Sequence, residues 1–287
     1  MQGKIIRIVS NQYTIIDHKS NRLQALAMGK VRKQDKPVVG DEVDVEIYDG
    51  RYCIEKILPR RNRLYRPAVA NVDQAMIVMS AVDPVFSNVL VDRLVFLIEY
   101  SDIEPLIVVS KMDLTSADDP VYGYIEDYRN SGYQVILVGH DYELDELKAA
   151  LKDKVTVLAG QSGVGKSSLL NKLDPDFALA TQEISKALNR GKHTTRHTEL
   201  YEVAGGWLAD TPGFSSLDFS RIDALTMAGK IKDFQTAEPC RFNDCHHLNE
   251  PGCAIIRGVE EGRISKYRYD NYVAITELCN KKKEWEL

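Results

Sequence analysis

The stretch Gly160-Gln161-Ser162-Gly163-Val164-Gly165-Lys166-Ser167 fits the phosphate-binding pattern G-x-x-x-x-G-K-[ST]. Residues 155–159 before it have the apolar character of a buried strand, and residues 168–173 after it have helical character. Glycines let backbone N–H groups wrap around a phosphate, and the helix N-terminus adds partial positive charge. The alternative is a glycine-rich turn that binds nothing. The agreement of strand, loop and helix favours a phosphate site in an α/β domain.

Two further features complete the expected phosphate chemistry. The Lys166 ammonium is expected to reach the β- and γ-phosphates, and the Ser167 hydroxyl to bind Mg²⁺. Asp210-Thr211-Pro212-Gly213 follows a predicted strand at residues 207–209, about forty residues after the phosphate loop. An Asp there can hold Mg²⁺ through water, and the glycine N–H can meet the γ-phosphate. Asp and Gly are also common turn residues, so it is their position that indicates function.

Ser110-Lys111-Met112-Asp113 follows an apolar strand and resembles the guanine-reading sequence N-K-x-D, with Ser in the place of Asn. A carboxylate at Asp113 can accept hydrogen bonds from both N1–H and the 2-amino group of guanine. Adenine lacks this pair of donors, and a buried unmatched carboxylate is costly. The motif therefore predicts selection of guanine nucleotides. Taken alone, it also fits a polar exit from a strand.

Composition indicates a globular protein of two or three domains. Hydrophobic residues make up 44% of the 287 residues, and no apolar run is long enough to cross a bilayer. The N-terminus lacks the apolar core and cleavage site of a signal peptide. Five cysteines, an odd number, argue against a disulfide framework. We therefore expect a soluble cytoplasmic protein.

Residues 1–66 are predicted to form a small β-barrel. Five short segments rich in apolar and β-branched residues are separated by Asn, Gly, Asp and Pro: 4–9, 13–17, 22–27, 42–47 and 52–57. An OB-type barrel fits this pattern, and an SH3-like barrel is the alternative. This part carries 14 Lys and Arg against 8 Asp and Glu, whereas the whole chain carries 37 against 42. Such an asymmetry suits either a polyanionic partner or an ordinary solvated surface.

Basic residues of the barrel fall into two groups. One predicted loop contains Lys30, Arg32, Lys33 and Lys36. The exit from the barrel is flanked by Arg60, Arg61, Arg63 and Arg66. Basic loops on such a barrel suit the backbone of a nucleic acid.

From Asn71 onward, apolar strands alternate with amphipathic helices. Strands are predicted at residues 75–80, 106–110, 134–138, 155–159, 198–203 and 207–209, with helices at 89–100, 144–151 and 168–173. Near-continuous apolar strands are typical of a parallel sheet covered on both faces, so we expect a doubly wound α/β domain. From about Ser220 the chain has mainly helical character, and residues 265–286 are predicted to form one long helix.

A cluster of three thiols and one imidazole lies within fourteen residues: Cys240, Cys245, His247 and Cys253. Four such ligands suit a closed tetrahedral zinc site, although the spacing is not that of a common zinc finger. Because protein ligands fill every position, the role would be structural. We interpret the adjacent His246 as a solvent-facing neighbour, and Cys53 and Cys279 as isolated thiols.

The order of the motifs distinguishes this chain from ordinary GTPases, in which the phosphate loop comes before the guanine motif. Here the guanine motif comes first, and a circular permutation of the sheet keeps the same elements together. With Gly191-Lys192-His193-Thr194-Thr195 between the phosphate loop and Asp210, the chain resembles the circularly permuted, ribosome small-subunit-dependent GTPase family, RsgA (also called YjeQ). The resemblance covers nearly the whole chain, from Pro37-Val38-Val39-Gly40-Asp41 to the Cys/His cluster.

This resemblance implies a circularly permuted P-loop GTPase domain over residues 67–219. An N-terminal OB-type RNA-binding barrel would span residues 1–66, and a C-terminal, mainly helical zinc-binding domain residues 220–287. The implied activity is hydrolysis of GTP to GDP and phosphate, stimulated by the small (30S) ribosomal subunit, in late maturation of that subunit. The implied cofactors are one structural Zn²⁺ and Mg²⁺ bound with GTP. We expect a monomer that binds the subunit and its rRNA and binds no membrane.

The same resemblance assigns the site residues. GTP binding is assigned to Ser110, Lys111, Met112, Asp113, Gly160, Gln161, Ser162, Gly163, Val164, Gly165, Lys166, Ser167, Ser168, Asp210 and Gly213. Magnesium is assigned to Ser167, Thr195 and Asp210, and zinc to Cys240, Cys245, His247 and Cys253. Two departures matter. Because Ser110 replaces Asn, one contact to guanine or to the phosphate loop is lost or substituted. The sequence Val138-Gly139-His140-Asp141, in place of the family's Ser-containing loop, leaves open which atom meets the base.

Catalysis is assigned to Lys166, Thr195 and His193. Many GTPases orient the attacking water with a Gln after the D-x-x-G glycine, but Phe214 occupies this position and cannot hydrogen-bond to water. Gly163 stands where potassium-activated permuted GTPases carry Asn, which disfavours a cation substitute. Histidine side chains titrate near neutrality, and His193 is our candidate for positioning the water. A solvent-exposed residue of a switch loop is the alternative.

Two other functions stay open at this stage. The chain could be an RNA-binding regulator that uses GTP as a ligand with negligible turnover, or an ATP-driven enzyme with an added RNA-binding barrel. Nucleotide competition separates the ATPase from the others. Turnover with and without small subunits separates the GTPase from the regulator.

Overall fold

The computed structural model of the chain describes residues 1–65, 68–174, 199–209, 218–235 and 238–279. The chain divides into two compact units. One comprises Met1–Ala75, Leu144–Leu158 and Gly165–Phe214, and the other comprises Met76–Glu143, Ala159–Val164 and Ser215–Leu287. The three-domain division, with boundaries after residues 66 and 219, stays a prediction.

The first unit begins with a closed barrel of five strands: β1 (Gln2–Val9), β2 (Gln12–Asp17), β3 (Arg22–Ala27), β4 (Glu42–Tyr48) and β5 (Arg51–Ile57). Alternate side chains point inward, so Ile5, Ile15, Val43 and Ile54 are buried in its core. The strand order is β1-β2-β3-β5-β4, with β3 parallel to β5. The five predicted strands and the OB-type barrel are confirmed.

The segment predicted as a basic loop contains helix α1 (Gly29–Gln34). The prediction of a loop is therefore wrong for Lys30, Arg32 and Lys33, while Lys36 lies beyond the helix. Two causes favour the helix. Lys, Arg and Gln are good helix formers, and Val31 buries its side chain in the barrel core.

A six-stranded sheet follows the barrel. Its strands are β8 (Gln74–Ser80), β9 (Glu104–Ser110), β10 (Gln134–Leu137), β11 (Val155–Ala159), β12 (Leu200–Val203) and β13 (Gly206–Ala209). Their order is β10-β9-β8-β11-β13-β12. The pairs β9–β10 and β11–β13 are parallel, and β12 runs antiparallel to its neighbour β13. Every residue of β8 is buried, as expected for a strand covered on both faces. The predicted α/β fold is confirmed.

Short strands and helices complete this part of the chain. Strands β6 (Arg63–Tyr65) and β7 (Ala68–Ala70) form an antiparallel pair. The helices are α2 (Asn88–Tyr100), α3 (Val121–Asn130), α4 (Asp145–Leu151) and α5 (Lys166–Leu173). Ser87 caps α2, because its hydroxyl accepts the N–H of Leu90 at 3.3 Å.

The C-terminal part is mainly helical, with α6 (Ala224–Ala228), α7 (Lys232–Gln235), α8 (Ala254–Glu260) and α9 (Lys266–Thr276). The prediction of one helix over residues 265–286 is wrong, because α9 ends at Thr276. The N–H groups of Leu278 and Cys279 bond to carbonyls three residues back, and this tighter turn buries Cys279. None of the helices in the described ranges has the length and apolarity that crossing a membrane requires.

A buried ionic cluster centred on Arg268 fastens α9 to α2 and α7. The Arg268 side chain is 1% exposed and donates to Asp92 Oδ1 at 2.7 Å and to Asp233 at 2.7 and 3.0 Å. It also donates to the Tyr133 hydroxyl at 3.1 Å. Burial raises the pKa of Asp92 to about 6, although the Arg268 charge opposes this rise. The position of α9 therefore depends on a buried charge that these partners balance.

Candidate functional site

The phosphate loop runs from the end of β11 to the start of α5. Its glycines Gly160, Gly163 and Gly165 have φ values of 123°, 84° and 89°, a region that residues with a Cβ rarely adopt. At Gly160, a Cβ would lie 2.1 Å from the carbonyl oxygen of Val78 on β8. The path of the backbone itself therefore requires these glycines.

Side chains of the loop divide into one buried anchor and several exposed polar groups. Val164 is the anchor, with 0% exposure. The exposed polar residues are Gln161, Ser162, Ser167 and Ser168. Lys166 opens α5 and is partly buried, and this burial lowers the pKa of its ammonium group. A lysine and hydroxyls at a helix N-terminus are suited to phosphate oxygens and to Mg²⁺.

The guanine motif lies at the end of β9, where Lys111 adopts the left-handed conformation with φ 60°. Met112 is buried, whereas Asp113 is exposed. Asp113 Oδ1 accepts the backbone N–H of His140 at 3.0 Å, and a Cβ on Gly139 would lie 2.5 Å from the same oxygen. Of the segment 138–141, the structure thus brings the backbone of Gly139 and His140 to the carboxylate.

Ser110 connects this motif to the phosphate loop. Its hydroxyl oxygen lies 2.6 Å from the carbonyl oxygen of Val164 and 3.2 Å from that of Met79. The loop contact that the Asn-to-Ser replacement put in question is therefore present.

Several predicted site residues lie outside the described ranges: Gly191, His193, Thr194, Thr195, Asp210, Gly213 and Phe214. Strand β13 ends at Ala209, immediately before Asp210. The magnesium ligands Thr195 and Asp210 and the catalytic role of His193 stay predictions.

The four predicted metal ligands converge on one point. Their ligand atoms all lie within 4.8 Å of one another. His247 Nδ1 lies 3.5 Å from the sulfur of Cys240 and 3.4 Å from that of Cys253, and these two sulfurs are 3.9 Å apart. Tetrahedral Zn²⁺ with ordinary bond lengths separates its ligand atoms by about 3.5–3.8 Å. The donor set and its spacing fit a metal ion of this size.

Neighbouring groups hold these ligands in place. The ring of Phe234 meets the His247 ring edge-on at a centroid distance of 5.5 Å. The Tyr269 hydroxyl on α9 donates to the His247 carbonyl at 2.7 Å. The N–H of Ala254 donates to the Cys240 sulfur at 3.2 Å, as at many metal-bound thiolates. Burial raises the pKa of the Cys245 thiol to about 12, so a cation is needed to hold it as a thiolate at neutral pH.

The two neighbours of the cluster differ in role. His246 is exposed, and its imidazole does not belong to the ligand set. Glu250 accepts the backbone N–H groups of His246 and Leu248 at 2.8 Å and of Asn249 at 3.0 Å. Burial alone would raise the pKa of Glu250, but these bonds lower it to about 2. Glu250 therefore shapes the loop between the ligands.

The chain is similar to known proteins over nearly its whole length. Residues 57–220 match the model of the RsgA GTPase family. Relatives from Bacillus subtilis (strain 168) and Geobacillus kaustophilus (strain HTA426), each named small ribosomal subunit biogenesis GTPase RsgA, are 44% and 45% identical over 98% of both chains. The chain belongs to the RsgA GTPase family.

Solved RsgA-like structures agree with this assignment. The crystal structure of YloQ, a circularly permuted GTPase, has a TM-score of 0.83 and 39% identity, covering 99% of this chain and 96% of that one. YjeQ from Thermotoga maritima has a TM-score of 0.84 and 35% identity, covering 98% and 99%. The circular permutation inferred from the order of the motifs is confirmed.

The RsgA motif Pro37-Val38-Val39-Gly40-Asp41 forms a turn with a buried carboxylate. Asp41 is 0% exposed and accepts the Val38 N–H at 2.8 Å. Arg60 donates to both Asp41 oxygens, at 2.6 and 2.8 Å. Gly40 has φ 87°, and a Cβ there would lie 2.1 Å from the Ala70 carbonyl oxygen. In this chain the motif therefore stabilises the backbone at the exit from the barrel.

The arginines at the barrel exit form ion pairs with nearby carboxylates. Arg60 also pairs with Asp35. Arg63 pairs with Asp35 at 3.2 Å, and Arg61 with Asp73 at 2.7 Å. Each of these three arginines therefore has a carboxylate partner, and their contact with nucleic acid stays a prediction. Arg66 lies outside the described residues.

Two groups with a role at these sites were not predicted from the sequence. Glu250 braces the metal loop, and the signal is an acid between two metal ligands. Arg268 carries no local signal, because its partner Asp92 is 176 residues away.

Proposed function

We propose that this chain binds GTP, hydrolyses it to GDP and phosphate, and acts in biogenesis of the small ribosomal subunit. The relatives' names state the role in biogenesis for those proteins. For this chain, the proposal rests on the 2.6 Å hydrogen bond between Ser110 Oγ and the Val164 carbonyl. It joins a guanine-reading segment to a phosphate-binding loop, and a GTP site needs both.

Three segments of the site would bind different parts of GTP. Asp113 would accept hydrogen bonds from the Watson–Crick edge of guanine, beside the backbone of Gly139 and His140. The loop from Gly160 to Gly165 would surround the β-phosphate with N–H groups. Lys166 would contact the β- and γ-phosphate oxygens.

Hydrolysis requires a water oxygen to bond to the γ-phosphorus while the bond to the β–γ bridging oxygen breaks. Ser167, Thr195 and Asp210 would hold Mg²⁺, which supplies positive charge against the phosphate oxygens. Lys166 would stabilise the charge that develops on the bridging oxygen. His193 would orient the attacking water, which Phe214 cannot do.

A turnover assay tests this proposal. We expect phosphate release from GTP to be slow for the chain alone and to rise several-fold with small ribosomal subunits, while ATP neither competes nor is hydrolysed. Lys166→Ala should lower stimulated turnover on the order of a hundredfold or more, because it removes charge from the transition state. Lys172→Ala, at the other end of α5, is the matched control and should keep near wild-type turnover.

Each rival function has its own outcome in this assay. Tight GTP binding with no phosphate release at any subunit concentration would identify a GTP-liganded RNA-binding regulator. Turnover of ATP would identify an ATP-driven enzyme. Either result would overturn the GTPase proposal.

We also propose that the metal is one structural Zn²⁺, held by Cys240, Cys245, His247 and Cys253. Three thiolates and one imidazole are typical ligands of Zn²⁺, and four protein ligands leave no open position for chemistry. Cys253 also caps α8, since its sulfur accepts the Ile256 N–H at 3.5 Å. Metal binding would therefore support both the loop and the helix that follows it.

Cys245→Ser is expected to release zinc and to loosen the C-terminal part of the chain, with GTP affinity nearly intact. The physical reason is that metal-binding energy contributes directly to folding of such a cluster. Metal analysis of protein purified without chelator should give one zinc per wild-type chain. Cys53→Ser, in the barrel, is the control and should retain the metal. Wild-type protein that contains no zinc would contradict the proposal.

The barrel is proposed as a contact for ribosomal RNA. Five exposed basic side chains there form no ion pair with any residue in the described ranges: Lys19, Arg22, Lys36, Arg51 and Lys56. They join the arginines of the barrel exit as candidates for phosphate contacts. The salt dependence of subunit binding measures their contribution, because each phosphate contact releases counterions.

Two smaller proposals complete the function. Bacterial ribosomal subunits assemble in the cytoplasm, so the proposed role implies a cytoplasmic protein. We further propose a monomer, because this one sequence carries every motif that a GTP site needs.

A further inference from the structure

The Ser110 hydroxyl occupies a buried position between two strands and the phosphate loop. The residue is 6% exposed. Its oxygen lies 2.6 Å from the carbonyl oxygen of Val164 in the loop and 3.2 Å from that of Met79 on β8. Both neighbours are acceptors, so the hydroxyl must act as the donor.

A serine hydroxyl has one hydrogen, and this limits what Ser110 can do. The shorter distance assigns this hydrogen to Val164. No hydrogen then remains for a nucleotide. An Asn at this position would carry two amide hydrogens and could serve the loop and a ligand together.

Val164 lies between two glycines of the phosphate loop, where the backbone needs a restraint on its conformation. Gly163 and Gly165 on either side have positive φ and little conformational restraint of their own. Val164 is fully buried, so its carbonyl has no water to replace a lost partner. On the other side, Gly160 packs directly against β8. Packing of Gly160 against β8 restrains the start of the loop. The Ser110 hydroxyl restrains its end, at Val164.

We propose that Ser110 is a positioning residue that holds the phosphate loop in its binding conformation and makes no hydrogen bond to guanine. Selection of the base then falls to Asp113 and the backbone of Gly139 and His140. The N7 and O6 acceptors of guanine receive no donor from position 110. This inference rests on the proposed GTP site.

Nucleotide affinities of Ser110→Ala test the positioning role. We expect GDP and GTP to bind roughly tenfold more weakly, because the Val164 carbonyl loses its buried partner. GMP lacks the β-phosphate that the loop would hold, so its affinity should stay within about twofold. Ser110→Thr retains the hydroxyl and should restore most of the affinity for GDP. Ser80→Ala is the matched control, since it removes a buried hydroxyl that bonds to Val82 rather than to the loop.

The 7-deaza analogue of GTP, which lacks the N7 acceptor, tests the absence of a bond to the base. The ratio of its dissociation constant to that of GTP should be equal in the wild-type protein and in Ser110→Ala. A ratio that falls in the variant would show a bond from Ser110 to N7 and overturn the proposal. Equal losses for GMP and GDP, or no loss, would overturn the positioning role.

A variant that does not fold and a wild-type protein that binds no nucleotide need separate interpretations. If Ser110→Ala does not fold, Ser110→Asn decides, because its second hydrogen should raise the 7-deaza ratio above that of the wild type. An unchanged ratio in Ser110→Asn would overturn the proposal. A wild-type protein that binds neither GDP nor GTP would instead refute the proposed function.

Discussion

Asp113→Asn is expected to lower the affinity for GTP on the order of a thousandfold and to create affinity for XTP. The His140 N–H, 3.0 Å from Oδ1, needs an oxygen as its acceptor. In the variant, the amide oxygen would keep this bond, and the amide nitrogen would take the other carboxylate position. That nitrogen would oppose the 2-amino group of guanine but would donate to the 2-oxo group of xanthine.

Competition binding with GTP, GDP and XTP measures this switch. Asp118→Asn is the control, because it removes the same charge from an exposed residue five positions along the chain. We expect its GTP affinity to match the wild type. If Asp113→Asn retained wild-type affinity for GTP and gained none for XTP, the base would have to lie elsewhere.

Arg268→Ala is expected to lower the free energy of unfolding by about 3–5 kcal/mol, the usual cost of removing one partner of a buried ion pair. Asp92 and Asp233 would keep their buried positions without the charge that balances them. Denaturant unfolding followed by circular dichroism measures the loss. Lys266→Ala, in the same helix, removes a charge that is paired at the surface with Asp270. This control should change stability by less than about 1 kcal/mol.

The pH dependence separates this electrostatic cause from a loss of packing. Asp92 already has its pKa raised to about 6 by burial, and loss of the arginine would raise the pKa further. Burying the unpaired Asp92 carboxylate costs free energy, and this cost falls when the carboxyl is protonated. Arg268→Ala should therefore lose less stability near pH 5 than near pH 8. Arg268→Lys keeps a charge but loses the planar fork, and should lie between the wild type and Ala. A destabilisation that is equal at both pH values would indicate packing instead.

Local sequence patterns identified most of the elements that carry function. The phosphate loop, the guanine motif and the metal ligands are each contiguous or nearly so, and their chemistry depends on spacing that can be read along the chain. The barrel strands were predictable because alternate apolar residues such as Val43 and Val45 fill one core. Helix α3 was missed, because only Val121, Ile125 and Tyr128 form its buried stripe.

The α/β class, the barrel, the order of the GTPase motifs and the composition of the metal site could all be predicted from the sequence. Each of these follows from residue types at short separation. Tertiary structure alone decided that Arg60 belongs to Asp41, that Arg268 belongs to Asp92, and that the Ser110 hydroxyl bonds to the loop. The Ser110 partner is 54 residues away and the Arg268 partner 176. A hydrogen bond depends on distance and angle in space, and over such separations only the folded backbone brings donor and acceptor together.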